Sequence, residues 1–186
     1  MPGMSEWKKE TLDLKKHHGW KATSGYRIFV ADRGAMRFNF PQDWVVVPGD
    51  DSINFHDKQP PDDDCRLAVS FMKLPPIDWS GLRLSELVQQ VLDSDERKVE
   101  QTGKIVEEHR GNLDVAWAEV RFLDPLEERE AFSRICLGRE SNIQCLITFD
   151  FWADDAESLR PVWDEVVRSL ELARYVSDPT VGDVIH

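Results

Sequence analysis

This sequence predicts an α+β fold in which an antiparallel β-sheet is covered by helices, an α/β/α-type layered sandwich. Three observations carry that prediction. Short alternating segments bounded by turn residues fill residues 26–74. Longer segments flank hairpin signals between residues 104 and 152, and two stretches, near Leu84 and near Asp154, carry apolar residues at helical spacing. Runs of hairpins pair antiparallel, and an amphipathic helix must bury its apolar stripe on a sheet face.

Tyr26 to Val30 is rich in aromatic and β-branched residues and stops at the turn signal Asp32-Arg33-Gly34. Met36, Phe38 and Phe40 alternate with Arg37 and Asn39, and Pro41 closes that run because it has no amide donor for a ladder. Trp44 to Val47, Ile53 to His56 and Cys65 to Leu74 are the next strands, the last with Leu67, Val69 and Phe71 on one face. Between them, residues 57–64 hold two prolines and four aspartates and read as a loop. Leu84, Leu87, Val88, Val91 and Leu92 then share one helical stripe, with Ser80 or Ser85 placed to cap its start. Residues 104–110 and 113–123 flank the turn Gly111-Asn112, and residues 131–137 and 143–152 flank a second hairpin loop, 139–142. Asp154 and Glu157 have capping-box spacing ahead of the stripe Leu159, Val162, Trp163, Val166, Val167 and Leu170. Pro161 predicts a kink or a late regular start in that helix. The organisation expected is an N-terminal arm over residues 1–25, with Trp7 and Trp20 as anchors, one domain over 26–176, and a loose tail over 177–186.

The chain has 186 residues, 41% hydrophobic and 31% charged, with a net charge of -12. That length supports one domain with a substantial core. The charge is uneven: residues 1–40 carry a surplus of +4 and residues 41–186 a surplus of -16. An acidic body repels phosphate backbones and anionic lipid, so neither nucleic acid nor membrane is an expected partner. No secretory h-region and no apolar run of about 20 residues is present, so a cytoplasmic location is expected.

The three cysteines, Cys65, Cys136 and Cys145, are too few for a secreted disulfide framework. A regular hairpin closed at Arg139–Asn142 would set Cys136 opposite Cys145, either as a strained disulfide or as two reduced, buried thiols. His56 with Asp62, Asp63 and Asp64 offers oxygen and nitrogen donors that would suit a metal-assisted hydrolase if they converged, although acids in such a loop are ordinarily just solvated. No nucleophile elbow, zinc-helix, phosphate-loop or dinucleotide motif occurs, so no cofactor and no catalytic residue is assigned. Trp79, in a loop before the first helix, would make a binding hot spot if exposed beside acidic residues. Packing of its loop onto the sheet is the alternative. Asp62, Asp63, Asp64 and Trp79 are therefore the candidate partner-binding residues.

The run Phe38-Asn39-Phe40-Pro41-Gln42-Asp43-Trp44, a mid-chain helix from Leu84 to about Lys98, and a closing strand and helix through Val166-Val167-Arg168-Ser169-Leu170 together resemble the PsbP-like superfamily, over residues 36–172. The resemblance implies a binding or adaptor role more than an enzymatic one. It carries over no site residue, because no position here matches a functional motif. The expected function is a non-enzymatic protein-binding or adaptor domain, chaperone-like in one version, whose partner presents a basic or apolar patch. The alternatives are the hydrolase near His56 and Asp62–Asp64, and a structural homodimer joined through an edge strand.

Overall fold

The computed structural model describes residues 7–183 and 185. Residues 1–6 of the expected arm, and 184 and 186 of the expected tail, lie outside them. The strands are β1 (Tyr26–Ala31), β2 (Met36–Pro41), β3 (Val45–Pro48), β4 (Ile53–His56), β5 (Cys65–Lys73), β6 (Val99–Thr102), β7 (Val106–Arg110), β8 (Leu113–Asp124), β9 (Arg129–Glu140), β10 (Ile143–Trp152) and β11 (Glu171–Leu172). The helices are α1 (Leu84–Asp93) and α2 (Ala156–Ser169). Eight strands form one antiparallel sheet in the order β3-β4-β5-β10-β9-β8-β6, with β7 also paired to β8. The other three form a small sheet in the order β1-β2-β11.

The fold is the α+β class expected, with one layer more composite than anticipated. One face of the large sheet packs against α2 and the small sheet together. Its other face packs against α1. Accordingly there are two apolar clusters. The larger joins Phe38, Phe55, Phe149, Trp163 and Leu172, and the smaller joins Leu84, Val88 and Leu92 of α1 to Ala116, Ala118, Ile135 and Leu137. The alternating pattern of β10, with every odd residue from Ile143 to Phe151 buried, is what a strand between unlike layers requires. Strands β6 and β11 were not expected. Each is short, and neither carries the alternation by which a strand is recognised from local sequence.

Three local expectations are corrected. The second hairpin turns over two residues, Ser141 and Asn142, with Ser141 in the left-handed region at φ +54. The register is therefore shifted by two: Cys136 faces Ile147, and Cys145 faces Gly138. All three cysteines are free and buried. Gly138 is needed there, since a Cβ would lie 2.9 Å from the Cys145 Sγ. Neither helix has a side-chain N-cap. The Ser80 amide is instead held by Asp78 at 2.9 Å, and Asp154 pairs with Arg129 at 3.1 Å, leaving a 3-10 turn over Ala153–Asp155 to lead into α2. Pro161 falls on the exposed side of that helix.

The chain ends hold each other. The Lys15 and Gly19 amides donate to the carbonyls of Thr180 and Val181 at 2.9 and 2.7 Å, and the Trp20 indole donates to Pro179 at 2.7 Å. Trp20 is buried, while Trp7 is more exposed and meets Phe71 edge-on at 5.8 Å. Residues 178–181 of the tail are thus tied down by partners some 160 positions away, which local patterning does not register. Behind the arm, buried Glu165 of α2 accepts from Thr23 at 2.8 Å, from Asn39 of β2 at 2.7 Å and from Arg168 at 2.7 Å. Burial alone would raise its pKa, but these donors hold it below the ordinary value.

Three outcomes follow from this packing. Gly34 sits at φ +114, where a Cβ would meet the Arg174 carbonyl oxygen at 2.1 Å, whereas Gly111, at φ +60, has open space. Gly34→Ala is expected to cost about 3 kcal/mol or more in urea unfolding and Gly111→Ala about 1 kcal/mol. Equal costs would exclude the backbone contact as the cause. Because the folded pKa of Glu165 is depressed, its contribution is present above the unfolded value of about 4.3 and lost as pH falls through the folded one. Glu165→Gln should lower stability at neutral pH and flatten the acid limb of the stability profile. Burial pushes the Cys65 and Cys136 thiols well up and Cys145 up to about 12. All three should resist alkylation at pH 8 in the native chain and react after unfolding.

Candidate functional site

The α1 side of the large sheet is only half covered. Cross-strand registers arrange that face in rows: His56-Arg66-Asp150-Ser133-Val120, then Asn54-Ala68-Thr148-Ile135-Ala118, then Ser70-Leu146-Leu137-Ala116, then Met72-Gln144-Arg139-Asp114. Helix α1 lies over the β8–β9 end of these rows, where Ala116, Ala118, Val120, Ile135 and Leu137 are buried. Among the described residues no helix or strand lies over the middle of β5 and β10, whereas His56 of β4 is buried. There Ala68, Ser70 and Thr148 are partly exposed although β5 and β10 are interior strands with neighbours on both sides. Their small side chains make a shallow strip flanked by the α1 layer.

The two ends of the strip differ chemically. At one end Met72 is 58% exposed and Ile77 62% exposed. Trp79 stands close by, half-buried, its ring 6.0 Å from the Arg139 guanidinium. Its indole donates to the Pro75 carbonyl at 3.0 Å. Arg139 fixes the loop by donating to the carbonyls of Trp79 at 3.1 Å and Leu82 at 2.8 Å, and it holds Gln144 through Nη2 at 2.8 Å. Burial pulls the Arg139 pKa down from its usual value.

At the other end the groups are charged and paired. Arg66 donates to Asp150 at 3.3 Å, and Arg97 lies 3.7 Å from the same carboxylate. Arg97 also forks onto Asp95 at 2.6 Å and stacks 4.3 Å over the Phe122 ring. The hydrogen bonds from Arg97 hold Asp95 below the usual carboxylate range. Asp150 Oδ1 is buried and accepts no hydrogen bond within the protein. This end is near charge balance.

The residues singled out from sequence fall at both ends of β5, nine residues long or roughly 30 Å, and do not meet. Asp63 Oδ2 accepts from the His56 Nδ1–H at 2.8 Å. Asp64 pairs with Lys58, whose hydrogen bond lowers its pKa, and Asp62 is exposed. The Asp57 carboxylate is engaged by the Asp64 and Cys65 amides at 2.9 and 3.2 Å. His56 is therefore met by one carboxylate and not the two that a metal-assisted site needs. Among the described residues no group of three or more His, Cys, Asp or Glu is placed to hold a metal ion. The hydrolase geometry does not form, because Asp57, Asp63 and Asp64 are engaged by backbone amides, a histidine and a lysine, and Asp62 is exposed. The strip itself was missed. Its signal was the set of positions alternating with Leu67, Val69 and Phe71, namely Arg66, Ala68, Ser70 and Met72, of which only Met72 is a large apolar residue.

The structure is similar to the cyanobacterial PsbP protein CyanoP of Synechocystis sp. PCC 6803, with a TM-score of 0.53 at 14% identity over 83% of this chain and 96% of that one. It is also similar to LpqN of Mycobacterium tuberculosis, a protein involved in cell envelope biogenesis, with a TM-score of 0.55 at 12% identity over 78% of this chain and 88% of that one. Identities so low establish the fold alone, and that fold is PsbP-like. The uncharacterized protein alr1449 of Nostoc sp. (strain PCC 7120) is 55% identical over 178 residues, 95% of this chain and 93% of that protein. Residues 27–176 match the Alr1449 family pattern, and the chain belongs to that family.

Proposed function

We propose that the protein is a non-enzymatic binding module that docks a protein partner on the uncovered strip of its large sheet. The observation that carries this reading is the floor of small residues, Ala68, Ser70 and Thr148, on interior strands. A sheet face needing no partner would be covered or strongly polar, whereas this one pairs a small-residue floor with the apolar group Met72, Ile77 and Trp79. An apolar anchor on the partner fits that end, and an extended segment lying along the strip fits its length. A chaperone-like role is the same geometry with an unfolded segment as the occupant. The resemblance to PsbP-like proteins, read as binding and adaptor proteins, points the same way.

Catalysis has less support, since the buried cysteines are not activated and the His56 pair lacks a second carboxylate. No described helix is long and apolar enough to cross a membrane, and the free cysteines fit the reducing cytoplasm. The edge-paired homodimer is disfavoured at β7, whose exposed residues include Glu107, Glu108 and His109, because charge on an edge strand opposes pairing.

Ala68→Arg and Thr148→Arg place long charged side chains on the floor, pointing to solvent, and should change stability by no more than about 1 kcal/mol. Affinity capture from the source cell, read by quantitative mass spectrometry, should recover a protein that both variants deplete by about tenfold. Asp164→Lys, exposed on α2 at the opposite face of the large sheet, should leave its recovery unchanged. An identical set captured by all four chains would remove the strip as the docking site.

A further inference from the structure

On the opposite side of the large sheet, the arm, β2 and the last turn of α2 enclose a cleft of about 260 Å³. Lys21, Arg37 and Arg168 line it, with Glu171 as the carboxylate among its lining residues and Phe38 as apolar wall. Three cations, facing Glu171 in the lining and Glu165 behind Arg168, leave a surplus of one positive charge in a chain of net charge -12. The arginines are positioned, and each keeps a donor in hand. Both Arg37 hydrogen bonds, from Nε at 2.7 Å and from Nη2, go to a single Glu171 oxygen. Its guanidinium is stacked 4.5 Å from the Trp20 ring. Arg168 uses Nε and Nη2 on Glu165 and Thr23. The Nη1 group of each is thus left for another acceptor, and Lys21 joins no ion pair among the described residues.

The arm segment at this cleft is fixed. Trp20 packs so closely on Gly182 that a Cβ there would lie 2.5 Å from the indole, and the Gly19 amide is bound to Val181. Two guanidinium Nη1 groups and an ammonium around a small polar cleft match an oxyanion, which accepts several charge-assisted hydrogen bonds at once. The volume lies below the ~300 Å³ at which ordinary ligand clefts begin, which restricts the ligand to a compact one. We propose that this cleft binds a small oxyanion, a phosphate or carboxylate group carried by a compact metabolite.

Isothermal titration of the full chain with inorganic phosphate and, separately, with succinate tests this, in chloride buffer of fixed ionic strength. Saturable binding of one of them is expected, phosphate alone marking a phosphate-bearing ligand and succinate alone a carboxylate. Lys21→Glu, an exposed change, and Arg168→Gln should each weaken binding about tenfold, while Lys98→Glu, elsewhere on the surface, should leave it unchanged. Absence of saturable binding by both anions at millimolar concentration would overturn the proposal. So would equal weakening by Lys98→Glu, the mark of a general charge effect.

Discussion

The packing of Trp163 against the large sheet is the contact on which the other layers depend. It is stacked with Phe149 at 6.0 Å and set edge-on to Trp117 at 5.4 Å, locking α2 across β8 to β10. The small sheet joins the same core, Phe29, Phe38 and Phe40 meeting Phe55 of β4 at 5.1, 5.3 and 4.9 Å, and it is also tied to the helix. Asn39 of β2 is bound there twice, its side chain to Glu165 and its amide to Ser169 Oγ at 2.7 Å. Arg134 is enclosed in the same aromatic cluster, 5.0 Å from the Phe151 ring and 5.6 Å from the Trp163 ring, with Nε on Glu119 at 2.6 Å. A buried cation is costly unless paired. Here a carboxylate takes one side, and the negative faces of the rings receive much of the rest.

Locking α2 to one face leaves the two faces of the sheet with different obligations. Toward α2, β10 presents Cys145, Ile147, Phe149 and Phe151, all buried. Toward α1, the same strand presents Gln144, Leu146, Thr148 and Asp150, each partly exposed. A ten-residue helix spans only about 15 Å, too little to roof an eight-stranded sheet whose strands lie about 4.8 Å apart. The chain meets this by concentrating Ile135 and Leu137 under the helix and placing alanine, serine and threonine beyond it, where exposure costs little. The uncovered strip is thus stable as it stands, and binding there would add burial without first requiring the domain to open.

Most of the large elements were legible in the sequence because their signals are local. Period-two alternation located β2 and β5, the hairpin signals located β8 to β10, and the apolar stripe located both helices. What stayed illegible depends on distant partners. Strand β11 exists because Glu171 and Leu172 meet Arg37 and Met36, and the tail is ordered by the arm. Capping failed for a related reason, since Asp154 is claimed by Arg129 and Ser85 by Glu107, partners that a helix-start pattern does not include. The hairpin register turned on whether four residues or two made the loop, and that difference of two set Cys145 against Gly138. At the strip, the amino acids were visible but their exposure was not, because it reflects where α1 ends and not what β5 contains.

Charge is where local reading and structure meet most closely. The arm's cations are partly used at home: Lys15 pairs with Asp178 at 2.6 Å, and Lys9 binds the Val46 carbonyl at 3.1 Å. The strip's own charges nearly cancel, Arg66 and Arg97 against Asp95 and Asp150. In the proposed docking, the acidic surplus of the body therefore acts at a distance and the strip acts in contact. The first hastens the approach of a basic partner and fades beyond a Debye length of about 8 Å at physiological salt. The second selects by shape and by an apolar anchor at Met72 and Ile77, which salt leaves largely intact. Raising ionic strength should then slow association far more than it speeds release, a division that a partner held mainly by surface ion pairs would not show.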